Sequence, residues 1–235
     1  MTVHAMTAIG QRPNNEDALV VGGEVFLNEA NLSRQDVEFV AVLDGVGGSP
    51  RGEVASSVGA YSLAKAFRSD MDEEALRSAL MQAHLDVAGQ QQGPAEKGPF
   101  STLVGIARLN DGYYFFNLGD SISLLYSHGH LRQVSMDDST TPNVYEYGLD
   151  VHGFITYCLG QPGLLRGDFH IQKADLVPGD VVLITSDGIT STIPFLDLED
   201  ILRQSMDGKE QFDHIVEEVG RRVSLDNYTL ALCEL

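Results

Sequence analysis

FVAVLDGVGG, residues 39–48, is an apolar β-branched run that stops at Asp44-Gly45, and the same event recurs along the chain. YYFFNLGDS (113–121) ends at Gly119-Asp120, VVLITSDGI (181–189) breaks at Asp187-Gly188, and Asp226-Asn227 introduces the last apolar run. Asp and Gly suit any strand-to-loop transition, so turn chemistry alone accounts for one such case. Four cases are a pattern, because each carboxylate adjoins a run apolar enough to be buried, where an uncompensated charge is costly. A hard cation is the natural compensation, and all-oxygen ligands without Cys or His select Mg²⁺ or Mn²⁺ over zinc.

Strands are expected over residues 37–43, 102–109, 113–118, 121–126, 181–185 and 228–233, with a shorter one at 18–21. Between the first two, residues 52–92 carry helical spacing (Val54, Val58, Tyr61, then Leu76, Ala79, Leu80, Ala83, Val87), giving two helices. The second should begin near 70–74, where acidic residues suit the positive end of the helix dipole. A second pair follows residue 185, with Leu198, Ile201 and Leu202 on one face and Phe212, Ile215, Val216 and Val219 on the next. The turns Asn110-Asp111-Gly112 and Ser127-His128-Gly129 favour antiparallel hairpins over parallel crossovers. The class is α+β, helices covering antiparallel sheets, in one domain over residues 1–235, with 90–98 a surface loop.

Composition narrows the function. Thirty-four acidic against 15 basic residues give a net charge of −19 on 235 residues, which argues against nucleic acid and anionic membranes as partners. With 43% hydrophobic residues a real core is affordable. The opening MTVHAMTAIGQRPNNED has no apolar run of signal-peptide length and no stretch reaches a membrane span, so a cytoplasmic protein is expected. Cys158 and Cys233 read as ordinary reduced thiols.

The N-terminal QRPNNED adds a phosphate anchor. Arg12 lies four and five residues before Glu16 and Asp17, just ahead of an apolar strand. In an extended segment Glu16 and Asp17 point to opposite faces, so one can reach a metal while the other supports it from behind. Arg12 can meet a phosphate through its planar fork of donors; the alternative is a solvated Arg12–Glu16 ion pair.

Taken in order, RPNNEDA (12–18), DGVGG (44–48), GEVAS (52–56), STL (101–103), LGDS (118–121), PGDVVLITSDGI (178–189) and DNYTL (226–230) resemble the motifs of metal-dependent serine/threonine protein phosphatases of the protein phosphatase 2C (PPM) family, bacterial type. The resemblance implies a sandwich of two antiparallel β-sheets flanked by α-helix pairs, with a binuclear metal centre at one end. It implies that Asp44 bridges two Mn²⁺ or Mg²⁺ ions and the Gly45 carbonyl binds one of them. Glu16, Asp187 and Asp226 complete the second, Asp17 supports through water, and Asp120 with Asp187 holds a third, weaker ion. Arg12 matches the phosphate-binding arginine, and Arg12 and Asp44 are the catalytic pair. The implied reaction is in-line attack on phosphorus by a metal-activated water, without a phosphoenzyme.

The implied substrates are phosphoserine and phosphothreonine proteins, a serine/threonine kinase or its targets. Alternatives are a small regulatory switch domain as substrate, or a non-catalytic scaffold, against which the intact Glu16, Asp44, Asp187 and Asp226 argue. The acidic balance disfavours broad capture of acidic phosphoproteins and points to a specific docking surface. Three departures from the family pattern stand out. Val46 occupies the position where eukaryotic relatives carry a histidine, leaving His152 as a speculative proton donor. Ile122 replaces an arginine beside Asp120, which weakens the expectation of a third ion. The flap-like segment near 137–163 is short and unusual.

Overall fold

The computed structural model describes residues 1–94, 98–140, 154–204 and 207–235. Its strands are β1 (Thr2–Ala8), β2 (Asp17–Val21), β3 (Glu24–Phe26), β4 (Ala30–Arg34), β5 (Phe39–Asp44), β6 (Leu103–Leu109), β7 (Gly112–Leu118), β8 (Ile122–Ser127), β9 (His130–Gln133), β10 (His170–Ala174), β11 (Val181–Thr185) and β12 (Tyr228–Glu234). The helices are α1 (Gly52–Ala66), α2 (Glu73–Ala88), α3 (Asp187–Thr190), α4 (Phe195–Arg203) and α5 (Gly208–Arg222). The strands form two six-stranded sheets, ordered β4-β1-β12-β11-β8-β9 and β10-β7-β6-β5-β2-β3. The α+β sandwich expected from the sequence is the architecture found.

Continuous apolar runs mark strands buried on both faces. Along β5, Phe39, Ala41 and Leu43 pack under α1 and α2, while Val40 and Val42 face the opposite sheet. Along β11, Val181 and Leu183 pack under α4 and α5, and Val182 and Ile184 enter the layer between the sheets. The order of layers is therefore helix pair, sheet, sheet, helix pair.

Local chemistry sets the boundaries. Asp72 caps α2 by accepting from Ala75 N at 2.8 Å, and Asp207 caps α5 by accepting from Glu210 N at 2.9 Å. The β8–β9 hairpin turns on His128 and Gly129, both with positive φ (53° and 83°), the backbone that the tightest hairpin turns demand.

Five strands, β1, β3, β4, β9 and β10, and the single-turn α3 go beyond the sequence expectation. β1 is the instructive one. Thr2, His4 and Thr7 break its apolar run, yet it lies inside the first sheet between β4 and β12. His4 is buried because its ring bonds Ser33 Oγ at 2.8 Å and Glu234 Oε2 at 3.2 Å.

Candidate functional site

Antiparallel pairing brings distant strand ends to one end of the sandwich. Ala8 pairs with Tyr228 and Thr185 with Leu230 and Ile122 in one sheet; Asp17 pairs with Asp44 and Leu103 with Leu118 in the other. Asp120, Asp187 and Asp226 each lie within two residues of these ends.

Asp17 and Asp44 face each other directly across β2 and β5. Asp17 is 1% exposed, and its Oδ2 accepts from Ser186 Oγ at 2.9 Å and Thr229 Oγ1 at 2.7 Å, both from the opposite sheet. Its Oδ1 is buried with no hydrogen-bond partner. Asp44 is half-buried, and its backbone is fixed on both sides. Its N–H donates to Thr102 Oγ1 at 3.1 Å, and its carbonyl accepts from Thr102 N at 2.8 Å and Ser101 Oγ at 3.0 Å.

Glu16 is held by its main chain. Its N–H donates to Asn227 Oδ1 at 2.9 Å and its carbonyl accepts from Gly45 N at 3.1 Å. Gly45 and Gly52 touch so closely that a Cβ on Gly45 would lie 2.5 Å from the Gly52 carbonyl carbon, and one on Gly52 would lie 3.3 Å from the Glu16 carboxyl carbon. Only glycine fits at Gly45, and the close approach accounts for the glycine that each of the two motifs carries at the contact. Asn227 also donates from Nδ2 to the carbonyls of Ile9 and Asn14, at 2.8 and 2.9 Å. One buried side chain thus pins the segment carrying Arg12 and Glu16 to the segment carrying Asp226.

Arg12 Nη2 donates to Asp226 Oδ2 at 2.6 Å, with both side chains well exposed to solvent. The ion-pair alternative is therefore corrected in its partner: Arg12 meets Asp226 and not Glu16, because the Asn227 clamp brings residue 226 against the turn after β1. This bond is also the main cause that raises the Arg12 pKa.

The acids act on one another. Burial, then repulsion from Asp17, Asp187, Asp120 and Asp226, pushes the Asp44 carboxyl well above the usual range. Burial pushes Asp17 up against the opposing pull of its two hydroxyl donors. Asp120 is pushed up to about 7 by burial and then by Asp187, and Glu16 is raised by burial and then by Glu53. Among the described residues, no group of three or more acid, imidazole or thiol side chains is already drawn into an ion-holding cage. The carboxylates nevertheless share one neighbourhood.

A hard divalent cation fits these residues. The donors are carboxylates and a backbone carbonyl, the acids repel one another with insufficient positive charge between them, and Asp17 Oδ1 is desolvated without a partner. The buried Cys158 offers no competing thiolate, since burial and then Asp120 push its thiol up to about 12.

The structure brings Arg12, Glu16, Asp17, Asp44, Gly45, Asp120, Asp187 and Asp226 to the same end of the fold. The sequence reading did not foresee the supporting shell of Ser186, Thr229, Thr102 and Asn227. Its signal is faint: Ser186 and Asn227 stand beside an acid, and Thr102 and Thr229 are single polar positions at or within apolar runs. His152 lies outside the described residues. So does the middle of the flap-like segment; its limbs are joined by a bridge between Ser139 and Ile155.

A family model described as "Protein phosphatase 2C" matches residues 15–234. Arg12 lies just before the matched span. The chain is 25% identical to "Protein phosphatase PhpP" of Streptococcus pneumoniae over 251 aligned residues, covering 100% of this chain and 98% of that protein. It is likewise 25% identical to "Serine/threonine phosphatase stp" of Listeria welshimeri, covering 95% and 91% of the two chains. Among solved structures, PppA of Pseudomonas aeruginosa superposes with a TM-score of 0.80 at 23% identity over 99% of this chain and 97% of that one. The PPM Ser-Thr phosphatase MsPP of Mycobacterium smegmatis gives 0.78 at 24% identity over 99% and 97%. At these identities the superpositions speak for the fold.

Proposed function

This chain belongs to the protein phosphatase 2C family, and from that premise we propose that it is a metal-dependent phosphoserine/phosphothreonine protein phosphatase whose reaction centre is the acid-rich end of the sandwich. The observation that carries the reading is the facing Asp17–Asp44 pair, with a desolvated Asp17 oxygen that has no partner. Asp44 and the Gly45 carbonyl, with Glu16, Asp187 and Asp226, would hold two Mn²⁺ or Mg²⁺ ions, with Asp17 in support and Asp120 with Asp187 serving a third. When bound, such ions neutralise charge on the phosphoryl oxygens and supply a nucleophilic water at neutral pH.

The chain's own residues do the rest. Arg12 leaves or shares Asp226 to present its guanidinium fork to the phosphate dianion, which a half-exposed side chain on a turn can do at little cost. Ser186 and Thr229 fix Asp17, and Thr102 fixes Asp44, so that the acids do not reorganise during the reaction. Val46 has no proton to give a leaving alkoxide, so solvent or another group would supply it. The working unit in this reading is one domain over 1–235. Its substrate is a phosphorylated protein, a serine/threonine kinase or that kinase's targets, in the cytoplasm. No helix among the described residues is long and apolar enough to cross a membrane.

The test is phosphate release from phosphoserine, phosphothreonine and phosphotyrosine peptides with Mn²⁺, with Mg²⁺ and with a chelator. Metal-dependent release from the first two peptides is expected. Release that survives chelation, or none from any peptide while the protein is folded, would replace this reading by a metal-free enzyme or a non-catalytic scaffold.

A further inference from the structure

Gly119, which presents Asp120, is gripped from outside the acid cluster. Its N–H donates to Asp138 Oδ2 at 2.9 Å, and its carbonyl accepts from Asp138 N at 3.1 Å, a two-point clamp made by one residue. The turn leaves little freedom to replace Gly119: its φ is +103°, and a Cβ there would lie 2.9 Å from Thr102 Cβ. One step back along the chain the clamp repeats. Asn117 Nδ2 donates to the Met136 carbonyl at 2.6 Å, and Met136 N donates to Asn117 Oδ1 at 3.1 Å. The exit of β7 is therefore zipped to residues 136–138, the start of the flap-like segment.

Asp138 has two further attachments. Its Oδ1 meets His170 Nε2 at 2.8 Å, and His170 stands on β10, in register with Asn117. Its carbonyl accepts from Thr156 N at 2.6 Å and Thr156 Oγ1 at 2.8 Å, on the returning limb of the segment. Asp138 is 8% exposed, so both its oxygens must be satisfied inside the protein, and His170 and Gly119 do so. A carboxylate held at both oxygens has one orientation. Without the imidazole, Oδ1 loses its donor and the side chain is free to rotate off Gly119.

We propose that Asp138 and His170 are positioning residues that fix the Gly119–Asp120 turn and tie its aim to the two limbs of segment 137–163. The proposal rests on the reading of Asp120 as a ligand of the weaker ion. It differs from that reading in placing control on two residues outside the ligand set. Movement of either limb would reach Asp120 through the Asp138 clamp, giving the segment a mechanical connection to the site.

The experiment uses His170→Ala and His170→Gln in the full chain. His170 is partly exposed and its loss leaves the core intact; glutamine restores an amide donor at similar reach. The first readout needs no metal: hydrogen exchange at the Gly119 amide. His170→Ala should speed it at least severalfold, with His170→Gln close to wild type. The second is calorimetric titration with Mn²⁺, where His170→Ala should weaken the last binding step roughly tenfold, the usual size of an outer-partner effect on a metal site, and leave earlier steps unchanged. Turnover of p-nitrophenyl phosphate should then fall in kcat with KM nearly constant. Unchanged Gly119 exchange in His170→Ala, or a glutamine variant no better than alanine, would overturn the proposal. If the wild type neither binds Mn²⁺ nor hydrolyses the ester, the phosphatase reading fails, and the exchange data still decide the clamp.

Discussion

At the residue scale the site is a set of acids held where they do not belong by neutral donors that do. Thr229 donates to buried Asp17 at 2.7 Å and accepts from the Thr7 hydroxyl at 2.8 Å, so its hydroxyl links the two sheets. Thr229→Val keeps the shape and removes the donor; a cost of about 1–3 kcal/mol in stability is expected, as for stripping one bond from a buried polar group, read by chemical denaturation. Arg12 is different. Its bond to Asp226 is exposed, so Arg12→Ala should change stability by less than about 1 kcal/mol while kcat/KM for phosphate esters falls at least tenfold. Unaltered kinetics would reduce Arg12 to a surface ion pair. The acids themselves were legible in the sequence because each interrupts an apolar run. Asn227, Thr102 and Ser186 were not, because a polar residue at the end of an apolar run looks the same whether it faces water or a neighbouring loop, and only pairing between strands remote in sequence decides.

At the scale of elements, legibility followed burial. Strands buried on both faces, such as β5, β6 and β11, announce themselves as apolar runs. Edge strands such as β3, β4, β9 and β10 are half-exposed and carry too few apolar residues to stand out from loops. The α1–α2 pair was legible from its spacing, but its second task was not. His84 on α2 accepts from Gly160 N through Nδ1 at 3.1 Å, fastening the returning end of segment 137–163 to the helix layer. Burial lowers the His84 pKa. The folded state therefore resists the proton that the unfolded chain accepts, and this bond's contribution to stability is full above the usual histidine range. It is lost as pH falls from about 6.5 toward the lower folded value. His84→Asn, which keeps an acceptor that does not titrate, should flatten the fall in melting temperature between neutral pH and pH 5. A slope identical to wild type would show that His84 is not the titrating group.

At the scale of the whole molecule, the sandwich gathers like charges at one end and leaves them for a ligand to neutralise. Asp44 illustrates the sign. With its pKa raised in the folded state, its contribution to the metal-free protein is favourable in acid and is lost as pH rises through the raised value. Metal-free protein should therefore melt higher with Asp44→Asn than with aspartate at neutral pH, and Mn²⁺ should stabilise wild type alone, by about 2.7 kcal/mol at a hundredfold excess over Kd, read as a higher melting temperature. Helices covering antiparallel sheets were legible from the strand and helix signals, whereas the two-sheet layer order and the gathering of the acids at one end were implied by the resemblance to protein phosphatase 2C. What was not legible is how the individual carboxylates are oriented, because that depends on side-chain rotamers and on hydrogen bonds such as those from Ser186 and Thr229 to Asp17.

The most direct test of the account is turnover of p-nitrophenyl phosphate as Mn²⁺ is titrated into metal-free wild type and Asp44→Asn, both verified as folded. The account predicts a saturable rise from a negligible baseline in wild type and a flat line in the variant. Turnover by metal-free wild type, or an Asp44→Asn curve that follows wild type, would contradict it.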